Sequence, residues 1–277
     1  MRNYILSCIT VFFMSLGFAQ EVTLMTYNIR LDVDSDGENA WSQRKEFLVS
    51  QLQFYSPAIF GIQEGLPHQV TFINENLPFY DVIGEGRDGG NKGEYSAIFY
   101  NKNNYLLLKQ DTFWLSEIPN VISKGWDAAF PRVCTYGLFQ HIKEGTKFWV
   151  FNTHLDHIGQ VARLESVKLI LLKIKELNAE ELPMFFMGDL NVEPDNEVVN
   201  MLKSDFEDCQ EISENQLIGP EGTFNNFKYH EVPAERIDYI FISKPISIKV
   251  KKYGVLNNSH NLKFPSDHFP VYVQLKL

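Results

Sequence analysis

Acidic, amide and imidazole side chains stand where several short apolar runs of this sequence end. Near the C-terminus, Asp267 and His268 precede a β-branched run, and such a pair can bind a metal through its carboxylate and move protons through its imidazole. Four similar clusters lie upstream, at Thr26-Tyr27-Asn28, Gln63-Glu64, Asn152-Thr153-His154-Leu155-Asp156 and Gly188-Asp189-Leu190-Asn191. One cluster alone would mean little, but five in this order predict one composite site.

The clusters that end in acids and amides suit metal-assisted hydrolysis. Glu64 follows a buried apolar run, so its carboxylate should emerge from a strand where it can bind a hard cation such as Mg²⁺. Asp189 and Asn191 stand two apart, so in an extended chain they face the same way and can hold a water between them. Each cluster has a plain alternative: a first-turn helix charge for Glu64, an Asx turn for Asn28 and a polar turn for Asp189.

Two histidines have acidic neighbours that suggest a role in proton transfer or charge stabilisation. His154 shares a strand face with Asp156, and as an imidazolium it could stabilise charge on a phosphoryl oxygen or protonate a leaving group. Asp238 lies in an apolar strand, where an unpaired charge is costly, and His268 is its natural partner. The alternative is a surface strand with Asp238 facing outward. A further histidine, His157, has no such support and is treated as background.

Short β-branched and aromatic runs dominate the chain, and few helical patterns separate them. This balance suits two sheets packed face to face with helices outside, rather than one doubly wound parallel sheet. Strands are predicted at Val22–Ile29, Ala58–Gln63, Ser96–Tyr100, Tyr105–Trp114, Thr135–His141, Lys147–Thr153, Met184–Met187, Arg236–Ile242, Ile246–Gly254 and Val271–Leu277. Helices are predicted at Trp41–Phe54, Pro67–Leu77, Val161–Leu177 and Asn196–Leu202.

Taken together, the motifs resemble those of the endonuclease/exonuclease/phosphatase superfamily, in particular the deoxyribonuclease-I-like metal-dependent phosphoesterases. The matching motifs are Thr26-Tyr27-Asn28-Ile29-Arg30, Gln63-Glu64, Asn152-Thr153-His154-Leu155-Asp156, Gly188-Asp189-Leu190-Asn191, Arg236-Ile237-Asp238-Tyr239 and Ser266-Asp267-His268. The resemblance implies an α/β fold, a four-layer α/β sandwich of two packed mixed or antiparallel β-sheets flanked by helices. It also implies hydrolysis of a phosphoester that depends on Mg²⁺ or Mn²⁺.

The resemblance assigns metal and water ligands by motif position. Glu64 would be the principal metal ligand, with Asn28 beside it. Asp267 would complete the acidic cluster as a further metal ligand. Asp189 and Asn191 would orient the attacking water and the phosphate.

The same resemblance gives roles to the imidazoles. His268 would act as general base or phosphate contact, oriented by Asp238, and His154 would bind phosphoryl oxygens. Two further positions fit the deoxyribonuclease-like branch. Glu94 stands where that branch has a carboxylate paired with the His154 equivalent, and Arg132 stands in the place of a phosphate-contacting arginine.

Three loop features bear on substrate choice. Trp126 could stack on a base or sugar, and with equal weight it could be a buried loop anchor. The glycine-rich segment 87–93 could lie over the entrance of the site. The segment Thr223-Phe224-Asn225-Asn226-Phe227 differs from the Thr-Phe-His-Gly-Phe-like sequence of related bacterial members, so it should change what reaches the substrate.

The N-terminus predicts export. Arg2, an apolar stretch and the small-x-small signal Gly17-Phe18-Ala19 indicate a signal peptide over residues 1–19. One catalytic domain should then span residues 20–277. We therefore expect a secreted or periplasmic protein with no stable membrane insertion after cleavage.

The net charge limits the expected binding partners, and the cysteine content limits the possible disulfides. Loss of Arg2 changes the formal net charge from −10 to −11, which argues against tight binding along a nucleic-acid backbone. Cys134 and Cys209 could form one disulfide, but two small buried thiols are the favoured interpretation. We expect a monomer acting on a small phosphoester, while nucleic acid stays open as a partner.

The expected function is hydrolysis of a phosphodiester, in preference to a monoester, by in-line attack of an activated water. A secreted nuclease acting on DNA or RNA is the first alternative. The second alternative is a non-catalytic protein that binds a phosphorylated ligand and retains the fold. The complete set of acids and imidazoles counts against that second alternative.

Overall fold

The computed structural model describes residues 21–244 and 248–277. The predicted signal peptide therefore lies outside the described residues. Within them, no helix is both long and apolar enough to span a bilayer.

The described residues form twelve strands, four α-helices and one 3-10 helix. The strands are β1 (Glu21–Asn28), β2 (Ile59–Gln63), β3 (Tyr80–Ile83), β4 (Ile98–Asn101), β5 (Tyr105–Trp114), β6 (Val133–His141), β7 (Lys147–His154), β8 (Met184–Asp189), β9 (Phe206–Asp208), β10 (Asp238–Ser243), β11 (Lys249–Val255) and β12 (Val271–Lys276). The helices are α1 (Trp41–Tyr55), α2 (Pro67–Asn76), α3 (Gln160–Leu177) and α4 (Glu197–Asp205), and the 3-10 helix spans Asp34–Asn39.

The strands form two six-stranded mixed sheets. The first has the order β11-β12-β1-β2-β4-β3, and the second has the order β5-β6-β7-β8-β10-β9. Each sheet contains one parallel pair, β1 with β2 and β7 with β8, and its other pairs are antiparallel. The prediction of a sandwich of two mixed sheets is confirmed.

Three hydrophobic layers hold the sandwich together. The central layer packs residues of both sheets against each other, including Leu24 and Ile59 from the first sheet and Val150 and Met187 from the second. A second layer packs α1 and α2 on the outer face of the first sheet, and a third packs α3 and α4 on the second. The result is the four-layer α/β sandwich, in which both faces of each sheet are buried.

The strand pattern explains why polar residues gather at one edge. In the two parallel pairs, Asn28 lies opposite Gln63 and His154 lies opposite Asp189, so four strand ends meet there. The antiparallel neighbour β10 begins at the same edge, because Asp238 lies opposite Asp189. In the first sheet β12 likewise begins beside the end of β1.

Most element boundaries agree with the sequence prediction, and two strands were missed. β3 has only four residues, one of them an aspartate, and β9 is a three-residue strand that follows α4 without a turn. Such short segments carry too little hydrophobic periodicity to be recognised. The predicted strand at 236–242 begins at Asp238, where pairing with β8 starts. Part of the strand predicted at 246–254 lies outside the described residues.

Both remaining cysteines are free and fully buried, as favoured from the sequence. Cys209 packs in the central layer and Cys134 between the second sheet and its helices.

A buried amide links the two sheets near the polar edge. Asn152 of β7 donates through Nδ2 to the carbonyl oxygens of Ile62 and Ala97, at 2.9 Å each. Its Oδ1 accepts from Gln63 Nε2 at 2.7 Å. Gly61 makes room for this amide, because a Cβ there would lie 2.6 Å from Asn152 Cγ.

We expect Asn152→Ala to lower the free energy of unfolding by about 2 to 4 kcal/mol, because buried hydrogen-bonding groups lose their partner and a small cavity forms. Urea denaturation measures the change. Asn103→Ala, in the exposed turn between β4 and β5, is the matched control. A loss for Asn152→Ala no larger than that of the control would show that this amide does not link the sheets.

Candidate active site

A cleft of about 570 Å³ opens at the polar edge where the two sheets meet. Residues at strand ends and in eight of the connecting loops of the two sheets line it. The lining residues are Arg30, Leu31, Asp36, Glu64, Arg87, Glu94, Phe130, Arg132, His154, His157, Asp189, Asn191, Phe224, Asn226, Phe227, Glu235, Ile237, Asp267 and His268. The composite site predicted from the five clusters is therefore assembled in one place.

A hydrogen-bonded chain crosses from one sheet to the other at the floor of this cleft. Asn28, at the end of β1, donates through Nδ2 to Asp189 Oδ2 at 2.9 Å and to Glu64 Oε1 at 3.1 Å. Asn28 and Asp189 are almost completely buried. The amide therefore holds a carboxylate of each sheet in a fixed position, and it is more than the local Asx turn that was the alternative.

His268 and Asp238 form a buried pair beside this chain. Nδ1 of His268 lies 2.9 Å from Asp238 Oδ2, and its Nε2 lies 3.8 Å from Asp189 Oδ2. Burial alone would lower the pKa of His268, but Asp238 and then Asp189 raise it to about 10. The ring is therefore protonated near neutral pH, and the alternative of an outward-facing Asp238 is wrong.

The charged form of Asp189 is disfavoured, in contrast to that of His268, because Asp189 is a buried acid among other acids. Burial, followed by the charge of Asp238, raises the pKa of Asp189 to about 7. Its Oδ1 accepts from the backbone N–H of Asn191 at 2.9 Å. A carboxylate with a pKa near neutrality is suited to take a proton from an attacking water.

Asn191 reaches the cleft by a different route from the one predicted. Its φ is 52°, in the left-handed region, so Asp189 and Asn191 do not belong to one extended strand. β8 ends at Asp189 and the chain turns sharply, which asparagine tolerates better than most residues. Nδ2 of Asn191 then lies 3.0 Å from His154 Nε2 and donates to the carbonyl oxygen of Leu155 at 3.0 Å.

His154 lies at the end of β7 with Nε2 3.6 Å from Asp189 Oδ2. Burial, followed by the positive charges of Arg132 and His268, lowers its pKa well below the usual range. The ring is therefore neutral near pH 7, and the predicted imidazolium is wrong for the free site. A neutral ring can accept the Asn191 amide hydrogen on Nε2.

Glu64 and Asp267 form the acidic side of the cleft. Glu64 has a left-handed φ of 63° and accepts the backbone N–H of Leu31 on Oε2 at 3.0 Å. Among the described residues it forms no ion pair within 4 Å, although the charges of Arg30 and Arg87 lie near enough to interact with it. Burial raises the pKa of Asp267, and the charge of Glu64 raises it further. Arg30 Nε lies 3.8 Å from Asp267 Oδ2.

This donor set fits a hard divalent cation. Two carboxylates that repel each other offer the oxygen ligands that Mg²⁺ and Mn²⁺ prefer. Asn28 Oδ1 accepts the backbone N–H of Arg30 at 3.0 Å and has a second lone pair for a cation. A second cluster, formed by Asp189, Asp238 and His268, has ligand atoms within 4.8 Å of one another. There, however, the imidazole Nδ1 is already hydrogen-bonded to a carboxylate, and the ring is cationic. We therefore interpret the second cluster as an acid–base group and place the candidate metal at Glu64, Asn28 and Asp267.

The segment Thr223–Phe227 supports the turn that carries Asp267 and His268. Thr223 Oγ1 accepts the backbone N–H of Asp238 at 3.1 Å, and the Phe224 ring lies 5.0 Å from the His268 ring. The backbone N–H of Asn225 donates to the carbonyl oxygen of Asp267 at 2.7 Å. Three residues of this segment, Phe224, Asn226 and Phe227, line the cleft, and its effect on substrate access stays a prediction.

Arg132 lies in the cleft, held by residues of the loop that follows β7. Its Nε lies 3.3 Å from Asp156 Oδ2 and its Nη2 lies 3.0 Å from His157 Nδ1. Asp156 Oδ2 also accepts the backbone N–H of Ala129 at 3.1 Å, so Asp156 serves as a support for this loop. His157, treated as background from the sequence, lines the cleft.

The loops beside the cleft correct one expectation from the sequence and decide against one of two alternatives for another. Glu94 is ion-paired with Arg87, at 2.6 Å between Oε1 and Nη2, and not with His154. Trp126 is half-buried and is not among the lining residues; its backbone N–H lies 3.4 Å from Glu117 Oε2. Phe130 is the aromatic residue that this loop places in the cleft. Sequence reasoning missed Arg87 as a site residue, although it opens the glycine-rich segment thought to lie at the entrance.

A buried arginine also escaped the sequence analysis. Arg44 of α1 donates through Nη2 to the carbonyl oxygen of Arg30 at 2.7 Å and through Nη1 to that of Pro265 at 3.2 Å. It thereby holds the segment after β1 against the segment before Asp267. A single arginine on an amphipathic helix gives no signal in a sequence, so only its contacts reveal this role.

Comparison with solved structures gives close relatives over the full described length. The mannosyl-6-phosphatase of Bacteroides thetaiotaomicron VPI-5482 is 41% identical with a TM-score of 0.87, covering 92% of this chain and 100% of that chain. A functionally unknown protein from Enterococcus faecalis V583 is 34% identical with a TM-score of 0.86, covering 92% and 99%. The human Nocturnin catalytic domain with bound sulfate anion shares the fold at 20% identity, with a TM-score of 0.72, covering 92% and 93%.

Curated relatives match over shorter stretches. Uncharacterized protein L388 of Acanthamoeba polyphaga mimivirus is 30% identical over 145 residues, which cover 50% of this chain and 52% of that protein. Human tyrosyl-DNA phosphodiesterase 2 is 27% identical over 175 residues, covering 61% and 42%. The match thus spans about half the length of these relatives or less.

A family model agrees with the site and the fold. The model described as Endonuclease/Exonuclease/phosphatase family matches residues 25–268, which include every cleft residue that comes from a strand end. The chain therefore belongs to the endonuclease/exonuclease/phosphatase family, whose members are hydrolases acting on phosphoesters.

Proposed function

We propose that this protein is an exported, divalent-metal-dependent hydrolase of small phosphate monoesters, with sugar phosphates as its first substrate class. The observation that carries the proposal is the single cleft in which Glu64, Asn28 and Asp189 are joined by hydrogen bonds beside the His268–Asp238 pair. A site that had lost its chemistry would not be expected to retain every one of these partners. The non-catalytic alternative is therefore disfavoured.

The protonation states of the residues at the bottom of the cleft suit attack by water on the phosphate. Asp189 accepts a proton from water as the water oxygen attacks phosphorus, because its raised pKa makes a carboxylate base effective near neutral pH. The bond from phosphorus to the alcohol oxygen breaks on the opposite side, and the departing alcohol oxygen takes up a proton from solvent, to which Asp189 later releases its own. Asn191 and neutral His154 hold the neighbourhood of Asp189 fixed, so the water is oriented before it reacts.

The cationic groups stabilise the charge that collects on the phosphoryl oxygens. His268 is held protonated by Asp238, and Arg132 presents a guanidinium whose orientation is fixed by Asp156. A divalent cation bound by Glu64, Asn28 and Asp267 would supply Lewis-acid stabilisation of the phosphate and of the leaving oxygen. All of these groups are set before the substrate binds, so little reorganisation is needed during the reaction.

The charge of the cleft favours a small substrate. Six carboxylates line it, from Asp36, Glu64, Glu94, Asp189, Glu235 and Asp267, against three arginines, Arg30, Arg87 and Arg132. Together with the acidic net charge, this lining gives no extended basic track for a nucleic-acid backbone. A metal ion and His268 can still neutralise one phosphate group.

The choice of a monoester departs from the sequence-based preference for a diester. The support is the likeness to a mannosyl-6-phosphatase that this chain matches over that protein's entire length. Export is supported by Arg2, the apolar stretch after it and the Gly17-Phe18-Ala19 signal. Monomeric behaviour in solution remains part of the proposal.

The purified mature protein should hydrolyse mannose 6-phosphate in the presence of Mg²⁺ or Mn²⁺ and lose activity with a chelator. Glu64→Gln should weaken Mg²⁺ binding, measured by calorimetry without substrate, by at least about tenfold, because it removes a charged ligand. Glu211→Gln, an exposed acid outside the cleft, is the matched control.

A parallel substrate panel decides between the alternatives. It contains sugar phosphates, nucleotides, phospholipids, bis(p-nitrophenyl) phosphate, DNA and RNA. Faster turnover of a nucleic acid than of every sugar phosphate would refute the monoester proposal, and absence of turnover on the whole panel would refute the enzyme.

His268→Ala should lower kcat by about a hundredfold or more, because it removes the buried cation beside the phosphate.

Asp238→Asn should lower the pKa of the His268 ring from its raised value, since it removes the main group that raises it. NMR titration of the ring in the metal-free protein measures that shift. His68→Ala is the control, because this exposed histidine pairs only with Asp32 on the surface. An unchanged ring pKa in Asp238→Asn would contradict the assigned pair.

Expression of the complete sequence in a secreting host should release a chain that begins at Gln20 or Glu21, because the small residues at 17 and 19 fit a signal-peptidase site. Intact-mass measurement of the released protein gives the start. Retention of Met1 in the exported protein would contradict the signal-peptide assignment.

A further inference from the structure

One side of the cleft is built from loops and carries a cluster that the proposed chemistry does not use. This cluster consists of Arg87, Glu94 and Phe130, and it adjoins the residues that face the phosphate. Arg87 and Glu94 line a small recess together with Glu64, Arg132 and His154. A group bound there would thus lie directly beside the phosphate position.

The ion pair in this cluster offers a donor and an acceptor side by side. Arg87 Nη2 lies 2.6 Å from Glu94 Oε1, and only 14% and 13% of the two side chains are exposed. The Nε of Arg87 is buried with no hydrogen-bond partner among the described residues. A hydroxyl group both donates and accepts, so it can bind to such a pair without disturbing its charge balance. A second anion would be repelled by Glu94.

Phe130 supplies an aromatic surface next to this pair. Its side chain is 46% exposed although it lines the cleft, and its ring stacks on that of His157 with centroids 6.0 Å apart at 15°. Arg87 Cζ lies 4.8 Å from the Phe130 ring centroid. The guanidinium and the imidazole both contact this ring, and nearly half of the side chain stays exposed for an apolar contact.

The loops that carry the cluster are fixed by hydrogen bonds. The backbone N–H of Arg87 donates to the carbonyl oxygen of Glu94 at 2.9 Å, and Trp114 Nε1 donates to the carbonyl oxygen of Arg87 at 2.7 Å. Asp156 holds the Phe130 segment through the N–H of Ala129. The cluster is therefore preorganised, which reduces the entropic cost of binding a ligand.

We infer that Arg87, Glu94 and Phe130 form the subsite for the alcohol part of the substrate, and that they select a hydroxyl-rich ring such as a sugar. This inference rests on the proposed function, since it concerns the group that carries the phosphate. The hydroxyls bind the Arg87–Glu94 pair, and a C–H face of the ring packs on Phe130. Glu94 is then a substrate-binding residue and not a partner of His154.

The test compares two monoesters that differ only in what leaves: mannose 6-phosphate and ethyl phosphate, which has neither ring nor free hydroxyls. Glu94→Gln, Arg87→Lys and Phe130→Ala should each lower kcat/KM for mannose 6-phosphate by about tenfold to a hundredfold, mainly through KM. For ethyl phosphate the change should stay below about threefold. Phe130→Trp, which keeps an aromatic face, should retain the preference for the sugar phosphate.

Exposed residues outside the cleft provide matched controls, namely Phe54→Ala for the aromatic change and Glu211→Gln for the acid. Thermal melting verifies that each variant is folded. Equal losses on both substrates would overturn the subsite and make Glu94 part of the common chemistry. If the unchanged protein hydrolyses neither substrate, the proposed function fails and the subsite fails with it. If it hydrolyses both and the variants do not discriminate, only the subsite fails.

Discussion

The site depends on hydrogen bonds that cross between the two sheets at one edge. Asn28 of the first sheet holds Asp189 of the second at 2.9 Å, and Asn152 of the second sheet holds the backbone of the first. These bonds are buried, so they are strong and their loss is costly. Because each sheet supplies about half of the reactive groups, their relative position sets the geometry of the site.

The second constraint is that several charged side chains are buried close together in the site. Burial and the charge of Asp238 raise the cost of ionising Asp189, burial and the charge of Glu64 raise that of Asp267, and His268 is kept cationic by its acidic neighbours. Glu64 adds another negative charge, and no described residue forms an ion pair with it. Such an arrangement makes the free energy of folding less favourable and is typical of functional sites. In the proposed function, this arrangement prepares the cleft for a divalent cation and for one phosphate group.

Two different parts of the fold carry the residues of the cleft. In the proposed function, the groups that face the phosphate lie in or near the rigid strand ends. The loops that follow β3, β5 and β7 carry Arg87, Phe130 and His157, which can vary without disturbing the sheets. In the proposed function, this separation would let the alcohol part of the substrate vary while the chemistry at the phosphate stays the same.

The sequence by itself determined the two-sheet sandwich and the core of the site, because strand periodicity and polar residues at strand ends are local signals. It also paired Asp238 with His268, since a buried acid needs a partner. Only the tertiary structure decided that Glu94 pairs with Arg87, that His154 is neutral and that Phe130 replaces Trp126 in the cleft. These features depend on loop conformation and on the summed field of residues far apart in sequence, for which the chain carries no local pattern.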